Sequence, residues 1–157
     1  MVRDLVIHSN TEGVEIALLE DRRLVEFYLD RNTKSGFIAG DIYLGRVRKI
    51  NPGLNAAFID IGHEKDAFLH YHDLGPNFHT LQKFIKLVST GKLKDYSLKN
   101  IPFEPEIDKD GAVADVLSPN LSILVQIVKE PISTKGPRIS SEISLAGRYF
   151  VLVPFSD

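Results

Sequence analysis

The chain has no cysteine among its 157 residues. That excludes a disulfide scaffold and any thiolate metal site, and it suits a reducing compartment. Nor is there an excess of positive charge: 19 lysines and arginines stand against 21 aspartates and glutamates, a formal net charge of −2. A surface basic all over is excluded, so any affinity for a polyanion has to come from local patches. No apolar run approaches the roughly 18 residues of a membrane-spanning helix, and the opening MVRDLVIHSN lacks the apolar core of a signal peptide. The chain is expected to have no membrane partner and to be cytoplasmic. The signatures of catalysis are missing too: no GxSxG, Walker loop or HExxH occurs. Asp108-Lys109-Asp110-Gly111 brushes a calcium-loop pattern, but the ligand spacing and terminal glutamate are wrong. His70 and His72 lie two apart without further ligands and read as surface residues. No metal site and no catalytic constellation is predicted.

What remains is ordinary for a globular chain, 43% hydrophobic and 25% charged, and the length fits one domain. The informative stretch is residues 40–71, GDIYLGRVRKINPGLNAAFIDIGHEKDAFLHY. It reads as three strands, 41–50, 56–61 and 67–71, with turns at Asn51-Pro52-Gly53 and at 62–66. Gly45 interrupts the first strand and suggests a bulge or bend there. Side chains two apart share a face, so Ala57, Ile59 and Ile61 line one side while Phe58 goes with Asp60. Likewise Ala67, Leu69 and Tyr71 go one way, and Phe68 goes with Asp66 and His70. Each strand carries one large ring on its polar side. Two readings stand: both rings pack under a loop, or they form a stacking platform for bases, with Arg46, Arg48 and Lys49 supplying phosphate-pairing charge.

Before this stretch, residues 4–8, 14–20 and 23–30 read as a three-strand meander, and 32–36 as a polar linker. After it, 77–93 reads as an amphipathic helix with Phe78, Leu81, Phe84, Ile85 and Val88 on one face. Lys83, Lys86, Lys92 and Lys94 lie on or just beyond its other face, either a solvated surface or extra contact to a nucleic-acid backbone. Residues 101–111 read as loop and 111–117 as a short helical turn, followed by a fourth strand at 122–129.

The run from Gly45 through Ile50-x-Pro52-x-Leu54-x-Ala56-Ala57-Phe58-Ile59-Asp60-Ile61-Gly62, followed by Ala67-Phe68-Leu69-His70, resembles the S-one type RNA-binding domain. More narrowly it resembles the version near the amino terminus of the ribonuclease E/G family. Residues 123–131, Thr134-Lys135-Gly136 and 143–154 extend the likeness, which is continuous except for about 72–120. The resemblance implies a mainly β fold: a five-stranded OB-fold barrel with a helical insertion, preceded by the first strands of an incomplete RNase-H-like subdomain. The implied division is 1–36 for those strands, 37–142 for the RNA-binding domain with its insertion at 72–120, and 143–157 for the start of a 5′-end sensor.

By the same resemblance Phe58 and Phe68 form the RNA-binding face, and Lys135 contacts the substrate backbone from the loop between strands four and five. Arg46 matches a position often basic in the family, and Arg138 follows the lysine loop. Gly147 and Val151 match a pocket for a 5′-monophosphate that also needs an Arg-Thr pair absent here, so the pocket is expected to be incomplete. The family cleaves single-stranded RNA in RNA processing and decay, ribosomal RNA processing included, with magnesium held by aspartates further along. This chain is therefore expected to be an inactive, RNA-gripping fragment without a cofactor of its own, from a homo-oligomeric parent. The alternative from another class is a freestanding OB-fold module that binds protein, with Phe58 and Phe68 as apolar anchors.

Overall fold

The computed structural model describes residues 1–31, 36–93 and 97–156, and the chain divides into two units, Met1–Gly36 and Phe37–Asp157. Apart from Gly36, the linker expected at 32–36 lies outside the described residues, as does Lys94.

The first unit is an antiparallel meander of β1 (Arg3–Asn10), β2 (Gly13–Glu20) and β3 (Arg23–Arg31). Its hairpins follow from their turn residues. The Asn10 carboxamide oxygen accepts the N–H groups of Glu12 at 2.8 Å and Gly13 at 3.0 Å, an Asx turn that reverses the chain. Asp21 and Arg22 both take positive φ, 47° and 66°, the pair of values whose twist suits a two-residue hairpin. Leu5 and Ile7 stand opposite Leu18 and Ile16 on one face; Val6, Ala17 and Phe27 share the other.

The second unit is a closed five-stranded barrel, the OB-fold arrangement, in the order β4 (Ile42–Asn51), β5 (Ala56–Asp60), β6 (Ala67–His70), β8 (Arg138–Ser140), β7 (Ser122–Lys129). All pairs are antiparallel except β6 with β8. Val47, Ala57, Ile59, Ala67, Leu69, Ile123, Val125 and Ile139 are wholly buried in its core. The corner after β4 is a 3-10 turn, Pro52–Leu54, where Asn51 accepts the Leu54 N–H and Asn55 sits at φ 45°.

The bulge expected at Gly45 is elsewhere. Gly45 pairs regularly with Ile123, and the register slips at Arg48, between Val47↔Ile59 and Lys49↔Phe58. Gly45 answers a packing need instead: a Cβ there would stand 2.6 Å from an Ile59 methyl and 3.0 Å from one of Ile61. The missing side chain leaves the barrel interior to those two isoleucines.

The helix of the insertion, α1 (Phe78–Ser89), stops short of the expected residue 93. Gly91 turns left-handed at φ 63°, its N–H bonding to Val88 O while the Lys92 N–H bonds to Leu87 O, a Schellman ending. Phe78 joins the barrel core, and Leu81, Phe84, Ile85 and Leu87 form a second one with Ile101, Leu124, Ile143 and Phe155. Val88, expected on that face, is exposed, and Leu87 takes its place. A short helix α2 (Val113–Val116) buries Val113 under the barrel core. Two ties fasten this segment. Asn55 donates to Gly111 O at 3.1 Å and accepts the Val113 N–H at 2.7 Å, and the Tyr71 hydroxyl donates to Asp108 O. A hairpin of β9 (Leu145–Ala146) and β10 (Val151–Leu152) follows β8.

Candidate functional site

The outer surface of the barrel is built by the register of its strands. Phe58 pairs with Phe68 across β5 and β6. Both rings are half-buried, their centroids are 5.9 Å apart and their planes meet at 70°. The two rings meet edge to face, and neither is fully buried. Opposite Phe58 on β4 is Lys49, and beside Phe68 on β8 is Arg138, itself opposite Lys129 of β7. One row across the barrel therefore runs cation, ring, ring, cation, cation.

The charges in and around this row differ in freedom. Arg48 donates to Asp60 at 2.6 Å and lies 3.9 Å from Asp66. The Gly62 N–H, bonded to the same carboxylate at 2.9 Å, and then the Arg48 guanidinium hold Asp60 below the usual carboxylate range, so it stays ionised. Arg138 grips Asp73 through its Nε and Nη2 atoms at 3.0–3.1 Å, a bidentate pair. Its charge is therefore largely spent on bracing β8. Among the described residues Arg46, Lys49 and Lys135 form no ion pair, although Arg46 faces Asp60 across the strands.

Lys135 is exposed on a tight loop closed by mutual backbone bonds between Ile132 and Lys135, with Ser133 at φ 52°. The next residue explains how the loop is seated. A Cβ on Gly136 would stand 2.1 Å from the carbonyl oxygen of Asp66 and 2.9 Å from its carbon. The loop lies directly on the turn between β5 and β6, and the Pro137 carbonyl accepts the Phe68 N–H at 2.8 Å. Lys135 and Phe68 are thus tied to one rigid seam.

No family model matches the chain. Individual relatives do. Ribonuclease G of Escherichia coli is 32% identical over 154 residues, covering 98% of this chain and 27% of that protein. Ribonuclease G of Haemophilus influenzae is 36% identical over 151 residues, 96% of this chain and 27% of its own length. Ribonuclease E of Synechocystis is 40% identical over 117 residues, 74% of this chain and 13% of the relative. The chain belongs to the ribonuclease E/G family. It corresponds to the amino-terminal region of that family, and it spans about a quarter of the length of the ribonuclease G relatives.

The other residues singled out in the sequence are dispersed. Gly147 forms the turn of the β9–β10 hairpin, donating to Phe150 O at 2.8 Å, and Val151 pairs with Ala146 and is exposed. Lys83 is committed to an ion pair with Glu104, whose N–H in turn bonds to the buried Thr80 hydroxyl. Lys86 and Lys92 are exposed. The His70 and His72 rings lie 5.1 Å apart, and the His72 N–H points at His70 Nδ1. Among the described residues no three histidine, aspartate or glutamate side chains gather around a point that could hold a metal.

Sequence reasoning missed Asp73 as the partner of Arg138, 65 residues away, and Gly136 as the seat of the lysine loop. Nothing in a single sequence announces the first. A glycine next to the candidate cation was a readable hint of close backbone approach for the second.

Proposed function

We propose that the outer face of the barrel grips single-stranded RNA and serves as the RNA-holding part of an endoribonuclease of RNA processing and decay. The observation that carries this reading is the partly exposed Phe58–Phe68 pair on a barrel of OB type, with Lys49, in no ion pair among the described residues, on one side and the Asp73-bound Arg138 on the other. Rings of this kind stack on any base, worth roughly 1–3 kcal/mol per base, while lysines neutralise phosphates with strong salt dependence. No side chain in the row is set to read a base edge, so sequence preference should be modest.

Cleavage and its magnesium ion belong, in this proposal, to other parts of the full-length protein, and no step is assigned to a metal here. The meander as RNase-H-like strands, Gly147 and Val151 as part of a 5′-end sensor, a homo-oligomeric parent and a cytoplasmic location complete the same reading.

Binding of a fluorescent single-stranded RNA of about ten nucleotides, within the range an OB fold covers, tests it at two salt concentrations. Wild type should bind and weaken with salt, and Phe58→Ala/Phe68→Ala should bind at least about tenfold more weakly, in line with the loss of stacking. Binding that ignores both salt and the double substitution would overturn the reading. An apolar, salt-insensitive interface centred on the two rings would instead support a protein partner.

A further inference from the structure

The bulge in β4 has a chemical result. Strict alternation after Val47, which faces the core, would turn Arg48 outward and Lys49 inward. The extra residue at Arg48 lets both point out, brings Lys49 opposite Phe58, and returns Ile50 to the inside opposite Ala57. Of the two consecutive cations, Arg48 is bracketed by Asp60 and Asp66, whereas Lys49 is exposed and unpaired among the described residues. At the far end of the row Arg138 is held by Asp73, and Lys129 and Lys135 nearby form no ion pair among the described residues.

We propose that Lys49 is a second phosphate-binding residue of the RNA site. Resting on the RNA-grip reading above, this gives the strand a path: it crosses the barrel along the row, with bases on Phe58 and Phe68 and backbone phosphates met by Lys49 on one side and by the Lys135 loop on the other. Neighbouring strands are about 4.8 Å apart, so the three steps from β4 to β8 span about 14 Å. Arg48 is a positioning residue: it occupies the bulge and neutralises two carboxylates that would otherwise repel the backbone.

The experiment is a salt titration of the same ten-nucleotide RNA on the whole chain, comparing wild type with Lys49→Ala, Lys49→Arg and Lys109→Ala. One lost phosphate contact on a single strand makes the slope of log affinity against log salt shallower by about 0.7. Lys49→Ala should therefore lose roughly two- to threefold less affinity than wild type between 50 and 200 mM salt. Lys49→Arg should restore the wild-type slope. Lys109→Ala, which removes the same charge from the insertion, should leave it unchanged. An unchanged slope in Lys49→Ala, or an equal change in Lys109→Ala, overturns the assignment while leaving the RNA grip intact. Wild type that fails to bind, or a Phe58→Ala/Phe68→Ala variant that binds as well as wild type, overturns both.

Discussion

In the amino-terminal meander Leu5, Ile7 and Phe27 are 62%, 60% and 54% exposed, whereas in the barrel Val47, Ile59 and Val125 are 0% exposed. Both sheets use similar apolar residues, and the strands of the meander are if anything longer, 8–9 residues against 3–10 in the barrel. The difference lies in closure. A three-stranded open sheet has two faces and nothing of its own to cover either, and here both faces are apolar. Five strands can curl until one face encloses itself, provided the chain supplies space and curvature where they are needed. Gly45 supplies space for Ile59 and Ile61, the bulge at Arg48 supplies curvature, and Gly136 lets the last seam come within backbone contact. Burial is thus set by a few special positions rather than by how apolar the strands are.

The sharpest way to break this comparison is to truncate matched isoleucines. Ile59→Ala should destabilise the barrel by about 2–5 kcal/mol, the cost of a buried cavity, while Ile7→Ala in the meander should stay within about 0.5 kcal/mol. Urea unfolding of the two variants beside wild type measures both, and comparable losses would mean that Ile7 is covered in solution. A smaller effect is expected at the seam. Gly136→Ala should cost about 1–3 kcal/mol, because the obstacle is backbone and cannot rotate away, and it should lower the melting temperature; an unshifted melt would show that the seam can open without loss. The smallest effect sharpens the barrel side alone. Burial first, then Asp108, Asp115 and Asp110, hold the Tyr71 phenol above its ordinary value. The fold favours the protonated form, so this contribution is complete below the unfolded value near 10 and is lost as pH rises through the folded one. Melting curves from pH 9 upward should fall more steeply for wild type than for Tyr71→Phe.

How much of this was legible in the sequence depends on the range of the interaction. Period-two alternation placed Phe58 and Phe68 outward and Ala57, Ile59 and Leu69 inward, because each of those strands is half-buried and regular. The bulge was misplaced at Gly45, yet a signal for Arg48 was present: Val47 and Ile50, both needed inside, are three apart and not two. The end of α1 was announced by Thr90-Gly91, a signal that the longer apolar period obscured. Strand β8 has three residues, too few for alternation to show. The Arg138–Asp73 pair and the Gly136 seat depend on segments that only the closed barrel brings together, and no local pattern carries them.

The fastening of residues 72–120 bears on how length is counted in this fold. The entropy of closing a flexible loop grows only with the logarithm of its length, about 0.6 kcal/mol for each doubling. Here the segment is pinned along its course: Asn55 holds Gly111 and Val113, Thr80 holds Glu104, and Asn77 donates to Phe155 O at 2.7 Å. Each pin divides one long excursion into shorter arcs. In polymer terms the insertion is a chain of small closed loops, and residues added between two pins would change the length of a single arc while leaving the perimeter of the barrel untouched.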